Sequence, residues 1–406
     1  MPAQGFHEIP SGTITSATGF RAGSTYAGLK TYGRDKLDLG IVASEAPCTA
    51  AGVFTTNKVC SATVPLSRSR ILAGQVQAII ANSGCANACV GHQGMLDAEA
   101  MGALAAEHLG IPEAGVLVAS TGIIGVELPM ARLRQNVGKV EVGAEGGHGF
   151  ARAIMTTDSH PKEAAVQFTI GGKRCVIGAV VKGVGMIHPN MATMLCFLTS
   201  DAAVDSEFLS GALGRAVDGT LNMLTVDGDT STNDMAVILA NGLAQNPLIR
   251  SGTPEANLFE AALGHVCATL TTMIARDGEG ATKLMQVVVS GAATLEDARL
   301  AARAVVRSPL VKSAVHGGDP NWGRIICAIG SSGANVVEEK LALEINGVVM
   351  LEKGTPVPFF KEAASMSMKE SDVKIEASLG LGEFSATAWG CDLTEEYVRF
   401  NSAYTT

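Results

Sequence analysis

Short apolar runs separated by glycine and asparagine turns fill the first half of the chain, at 37–43, 52–55, 76–81, 116–119 and 175–181. Runs of this length bounded by turn formers are the pattern of buried strands. Between them the period lengthens. Met101, Leu104, Ala105 and His108 recur at helical spacing in 97–109, with Asp97 as the expected cap. Asp205 is placed to cap a second helix carrying Phe208, Leu209, Leu213, Val217 and Leu221 on one face. Strands alternating with helices predict an α/β layered fold. Helix-like sequence follows at 255–274, after an Asn, Pro, Ser and Gly-rich stretch at 246–254. Beyond it come a strand at 284–289, a helix at 295–306, and a hairpin in which 341–345 turns through Asn346-Gly347 into 348–351. The spacing places a domain change near Asp277-Gly278, giving an N-terminal α/β domain of 1–276 and a smaller C-terminal α/β domain of 277–406.

Composition sharpens this picture. A chain of 406 residues exceeds the usual span of one hydrophobic core. Its 47% hydrophobic content with 17% charged residues excludes disorder. A net charge of −9 and the lack of a basic stripe argue against a nucleic-acid partner. Nine cysteines spread from Cys48 to Cys391 read as reduced thiols. No signal-peptide pattern opens the chain, and no window holds the roughly 18–20 uninterrupted apolar residues of a spanning helix. A cytoplasmic protein without a membrane partner is the expectation.

The segment from Lys182 to Asp201 carries the sharpest chemical signal. His188-Pro189-Asn190 reads as a turn, Met194 opens the apolar run 194–198, and Thr193 stands between them after the small Ala192. Cutting the Ala192–Thr193 bond would give Thr193 its own general base, an α-amine with an unperturbed pKa of roughly 7.7–8. Left uncut, Thr193 is a threonine at a strand entrance. Ser120-Thr121-Gly122, after the run 116–119, could aim a hydroxyl and an N–H at an oxyanion or form an ordinary turn. Lys182 closes a strand and would be a charge contact if desolvated. Glu279, between two glycines, is a loop acid able to meet an amine. The loop Asp227 to Asp234 begins like a calcium loop but has Thr232 and Ile238 where glycine and glutamate belong. It is a hydrogen-bonded Asx-rich loop or an active-site wall. Cys85 and Cys89 lack a second ligand pair, so no metal is expected. Gly317 to Arg324 lacks the spacing of a phosphate loop.

Several strings in shared order resemble the ornithine acetyltransferase family of arginine biosynthesis, the bifunctional glutamate N-acetyltransferases. They are Ala81-Asn-Ser-Gly-Cys-Ala-Asn-Ala-Cys89, Ser120-Thr-Gly-Ile-Ile-Gly125, Ile154-Met-Thr-Thr-Asp158, the Lys182 to Asp201 segment, Asp227 to Asp234, Gly318 to Arg324 and Cys391 to Asn401, with the Tyr404-Thr-Thr406 ending. The resemblance implies an α/β sandwich layered like N-terminal nucleophile hydrolases but with different strand connectivity. It implies self-cleavage between Ala192 and Thr193 into an α chain of 1–192 and a β chain of 193–406, paired again into a heterotetramer of two α and two β chains. Thr193 would be the nucleophile, with Thr121 and Gly122 as oxyanion donors. Thr156, Lys182, Thr193, Glu279, Asn401 and Thr406 would hold the small-molecule substrates N-acetylornithine and glutamate, with Thr157 an alternative to Thr156. No cofactor is implied, although some members take acetyl-CoA as acetyl donor. A water-resolved amidase or aminopeptidase with an N-terminal nucleophile is the competing enzyme class.

Overall fold

The computed structural model describes residues 5–30, 36–188 and 194–403. Among these residues the strands are β1 (Phe6–Glu8), β2 (Phe20–Thr25), β3 (Leu39–Phe54), β4 (Val76–Cys85), β5 (Val116–Ile123), β6 (Lys162–Ile170), β7 (Lys173–Lys182), β8 (Leu195–Ser200), β9 (Leu224–Thr225), β10 (Met235–Ala240), β11 (Leu284–Ala292), β12 (Ala342–Ile345), β13 (Val348–Glu352), β14 (Thr355–Pro356), β15 (Asp372–Ser378) and β16 (Phe384–Cys391). The helices are α1 (Thr63–Ala73), α2 (Gln93–Leu109), α3 (Met130–Asn136), α4 (Gly147–Ala153), α5 (Ser206–Gly219), α6 (Pro254–Arg276), α7 (Leu295–Arg307), α8 (Pro309–Gly317), α9 (Trp322–Gly330), α10 (Lys361–Ser367) and α11 (Glu395–Ala403).

Strand alternation explains the layers, because successive side chains point to opposite faces. In β7, β8 and β10 one set, including Ile177, Leu198 and Ile238, packs into a core shared with α5 and α6. The other set, including Val180, Phe197 and Val237, meets Ile79 of β4 and Leu117 of β5 in a second core. The reverse faces of β4 and β5, including Ile80 and Val118, pack on Met101 and Ala105 of α2. The result is helix, sheet, sheet, helix: the layered α/β sandwich expected from the sequence. One strand joins the two sheet layers. β3 pairs with β2 and β4 through its first half and with β10 through its second.

Both layers are thus one nine-stranded sheet, the first, and a separate second sheet of seven strands runs in the order β14-β13-β12-β15-β11-β16-β9. It lies largely after Asp277, but β9 reaches it from before that point. Helix α6 touches β6 and β7 of the first sheet and β11 and β16 of the second. By length and composition α6 would suffice to cross a membrane. Its Phe259, Leu263, Val266, Leu270 and Ile274 are instead fully buried in the shared core, which makes it a core helix.

Several element boundaries differ from the sequence reading. The runs 37–43 and 52–55 are parts of the single strand β3, because the polar residues between them, such as Ser44 and Thr49, remain in an extended edge-to-edge ladder. Helix α2 begins at Gln93, four residues before Asp97, whose carboxylate accepts from the Gln93 side chain inside the helix instead of capping it. Ser120, Thr121 and Gly122 lie within β5 and do not follow it. The cap at Asp205 and the hairpin through Asn346 and Gly347, residues both at positive φ, follow the pattern read from sequence, while the cap of α7 is Thr294, a residue that reading did not name.

Candidate active site

The ends of β5 and β7 open on one cavity of about 370 Å³, also walled by the loop 227–234, the turn at Glu279 and α11. Parallel pairing of β4 and β5 brings Thr121 opposite both Ser83 and Cys85, across a bulge at Gly84. Gly122 has φ +132°, and a Cβ on it would lie 2.3 Å from the Gly84 carbonyl carbon. Only glycine fits there. Amide side chains lash this strand end in place. Ser120 donates to Asn82 Oδ1 at 2.6 Å, Asn82 donates to the Cys85 carbonyl at 3.1 Å, and Asn233 donates to the carbonyls of Ala86 at 2.6 Å and Ser120 at 2.7 Å.

Lys182 ends β7 buried, at 5% exposure, and donates to Thr121 Oγ1 at 3.2 Å. A hydroxyl that accepts from an ammonium keeps its own proton for another acceptor. Burial pulls the Lys182 ammonium below the ordinary lysine range; Lys162 adds to the effect, while Asp158, Asp234 and Glu279 oppose it. Across the cavity Glu279 accepts from Thr157 Oγ1 at 2.8 Å and from Asn401 Nδ2 at 2.9 Å. Gly185 lets this carboxylate approach: a Cβ at 185 would stand 2.3 Å from Glu279 Cδ. Thr156 also lines the cavity, its N–H bonded to Asp158 Oδ2 at 3.0 Å. Asn401 shares a face of α11 with Tyr397, four residues earlier, whose phenol is bonded to Asp227.

The Asx-rich loop is both of the things its sequence allowed. Asp227 accepts from the N–H groups of Met186 at 2.6 Å, Ile187 at 2.9 Å and Asp229 at 3.1 Å, while Asp227 to Asn233 line the cavity apart from Gly228. Thr230 adds a bond to the His188 carbonyl at 3.1 Å. His188 itself is neutral at pH 7, because burial, with Arg303 and Arg307 beside it, holds its pKa near 4. Arg303 donates to its Nε2 at 3.3 Å, which leaves the proton on Nδ1 toward Thr225 Oγ1 at 3.2 Å. The chain leading toward residue 193 is thus held firmly up to His188.

Of the residues singled out from sequence, Thr121, Gly122, Thr156, Thr157, Lys182, Glu279 and Asn401 meet at this cavity. Ala192, Thr193 and Thr406 lie outside the described residues. Gly317 to Arg324 do not line it; they end α8 and start α9. Sequence reasoning passed over Asp158, Asp227 as a strut, and Tyr397. The last was legible in principle, four residues before Asn401 in a helical stretch.

Layers and cavity together define a class: a layered α/β sandwich whose strand-end site offers a buried ammonium, a carboxylate and a hydroxyl donor to one small ligand. The chain belongs to the ArgJ family, whose model matches residues 21–406. The arginine biosynthesis bifunctional protein ArgJ of Symbiobacterium thermophilum is 52% identical over 98% of this chain and 99% of its own. That of Dehalococcoides mccartyi is 49% identical, with 98% of each chain covered. A crystal structure of the arginine biosynthesis bifunctional protein ArgJ from Bacillus halodurans, 49% identical, superposes with a TM-score of 0.51; all of that chain matches 52% of this one.

Proposed function

We propose that this protein is a glutamate N-acetyltransferase of arginine biosynthesis, an ornithine acetyltransferase, moving the acetyl group of N2-acetyl-L-ornithine to L-glutamate through an acetyl ester on Thr193. The observation that carries the proposal is the convergence of Thr121, Gly122, Thr156, Lys182, Glu279 and Asn401, from separate segments of an ArgJ-family chain, on one cavity. Strand β8 starts at Leu195, which pairs with Lys182 of the cavity wall, and Thr193 precedes Leu195 by two residues in the sequence.

The chemistry begins with the chain cutting itself. The Thr193 hydroxyl attacks the Ala192 carbonyl, the acyl group moves from nitrogen to oxygen, and water hydrolyses the ester, leaving Thr193 with a free α-amine. That amine then takes the hydroxyl proton as the oxygen attacks the acetyl carbonyl. Thr121 Oγ1–H and the Gly122 N–H stabilise the tetrahedral oxyanion. Ornithine departs, and the amine of glutamate resolves the acetyl-enzyme at the same place. Lys182 suits the α-carboxylate common to donor and acceptor, and Glu279 suits an ammonium. The reaction as proposed draws on no cofactor, and acetyl-CoA as a second donor would acetylate the same hydroxyl. A cut before Thr193 leaves β8 hydrogen-bonded to β7 on one side and β10 on the other, so the two chains stay in one sheet. The Bacillus halodurans chain matches 52% of this sequence along its whole length, a span of the size a β chain of 193–406 would have.

Intact-mass spectra are expected to show two fragments meeting at Thr193, and Thr193→Ala to give one uncut, inactive chain. An uncut wild-type protein, or cleavage surviving in Thr193→Ala, would move the nucleophile elsewhere. Comparing acetyl transfer to glutamate with release of acetate separates the transferase from an amidase.

A further inference from the structure

Three segments of the cavity wall hang on one buried ion network whose charged members, Asp158, Lys162 and Asp277, carry no role so far. Asp158, with its carboxylate fully buried, accepts from Lys162 Nζ at 2.7 Å, the Gly183 N–H at 2.8 Å and the Thr156 N–H at 3.0 Å. Lys162, equally buried, also donates to Asp277 Oδ2 at 2.6 Å. Gly183 follows Lys182, and Asp277 stands two residues before Glu279. Burial works to raise the Asp158 carboxyl, but the ammoniums of Lys162 and Lys182 and the Gly183 N–H hold it below the usual carboxylate range. Lys182 contrasts with Lys162. Among the described residues it enters no ion pair and donates only to a neutral hydroxyl, although Asp158 is held against the next residue along the backbone. A buried ammonium beside a buried carboxylate would ordinarily close on it. Here a second ammonium already occupies that carboxylate.

We propose that Lys162 is a positioning residue for ligand binding: by engaging Asp158 it keeps that carboxylate off Lys182, and so leaves the Lys182 ammonium for the α-carboxylate of donor and acceptor. The inference rests on the acetyl-transfer reading above, in which one lysine serves both half-reactions. Removing the Lys162 charge frees Asp158 to pair with Lys182, which blocks the ligand's carboxylate while leaving Thr121 and Gly122 in place. Removing Asp158 as well takes away the competitor.

The test is a double-mutant cycle on protein normalised to its cleaved fraction, with folding checked by thermal unfolding. Lys162→Met should raise KM for N-acetylornithine and for glutamate alike, on the order of tenfold or more, with kcat changed by less than about threefold, since a tenfold change needs only about 1.4 kcal/mol of competing pairing. Lys162→Met with Asp158→Asn should recover most of that loss, and Lys162→Arg should behave as wild type. The pH profile adds a readout that general damage would not produce. Lys182 must be charged to hold a carboxylate, so KM rises as pH climbs through its pKa; Asp158, Lys162, Asp234 and Glu279 act on that charge, and Lys30 lies near enough to couple to it. Asp158→Asn should move the basic limb to lower pH and Lys162→Met to higher pH. A folded Lys162→Met with unchanged KM, or a double variant as poor as the single, overturns the proposal. If Lys162→Met does not fold, a basic limb unmoved in Asp158→Asn overturns it, and one moved to lower pH supports it. A wild-type protein that transfers no acetyl group overturns the acetyl-transfer reading itself.

Discussion

At the scale of single residues, Thr121 holds two positions at once: its hydroxyl accepts from Lys182 and lines the cavity, and among the described residues it donates its proton to none. An oxyanion donor acts on the transition state more than on the bound substrate. Thr121→Val keeps the shape and removes the donor, so kcat for acetyl transfer should fall roughly 100- to 1000-fold, about 2.7–4 kcal/mol of transition-state stabilisation. KM should rise far less, through the lost bond to Lys182. Single-turnover acetylation of the enzyme measures this directly, and a kcat within threefold of wild type would remove Thr121 from the oxyanion site. Residue types left Ser120-Thr121-Gly122 open between an oxyanion site and an ordinary turn, and the donor role came from the family resemblance; the fold adds that Thr121 and Gly122 line the cavity. Residue types could not reveal Asp158 or Lys162. A buried ion pair is invisible until the fold brings its charges under cover, and Lys162 looks like any strand-start lysine in sequence.

At the scale of elements, α11 closes the cavity from the far end of the chain. It presents Tyr397 to Asp227 and Asn401 to Glu279 from one face, and its start is tied down by Thr394, which donates to the Gly280 carbonyl at 2.8 Å and caps the Tyr397 N–H at 3.2 Å. Deleting residues 401–406 removes the Asn401 contact and whatever Thr406 supplies, but not Tyr397. KM for both substrates should therefore rise strongly, by on the order of tenfold, while self-cleavage proceeds and the melting temperature changes little. Unchanged steady-state kinetics in the truncated protein would take the C-terminal tail out of the site. Elements with clean local signals were readable: α5 from its Asp205 cap and stripe of Phe208, Leu209, Leu213 and Val217, each buried side chain contributing roughly 1.5–3 kcal/mol, although the expected Leu221 falls past the helix end in a 3-10 turn, and the hairpin from Asn346-Gly347. The strand β6, with Glu163 and Gln167 inside it, and the join of two runs into β3 were not. Their extended form depends on neighbouring strands supplying hydrogen bonds.

At the scale of the whole molecule, α6 joins the two sheets through one continuous core. The expected boundary at 276/277 falls where α6 ends and the chain turns into the site at Glu279, so the junction between the sheets is also part of the cavity wall. In the proposed mature form, two α and two β chains assemble, and sedimentation or native mass measurement should find about twice the mass of one cleaved precursor. A particle of single-precursor mass at micromolar concentration would count against that assembly. The sequence by itself determined the alternation of strands and helices, the caps and turns, and the set of residue types able to carry acyl transfer, because these depend on local period and local chemistry. Only the tertiary structure decided which of those residues meet. Thr121, Lys182, Glu279 and Asn401 are far apart in the chain, and their juxtaposition, like the sharing of the Lys162 ammonium between Asp158 and Asp277, comes from strand pairing and burial that no local segment encodes.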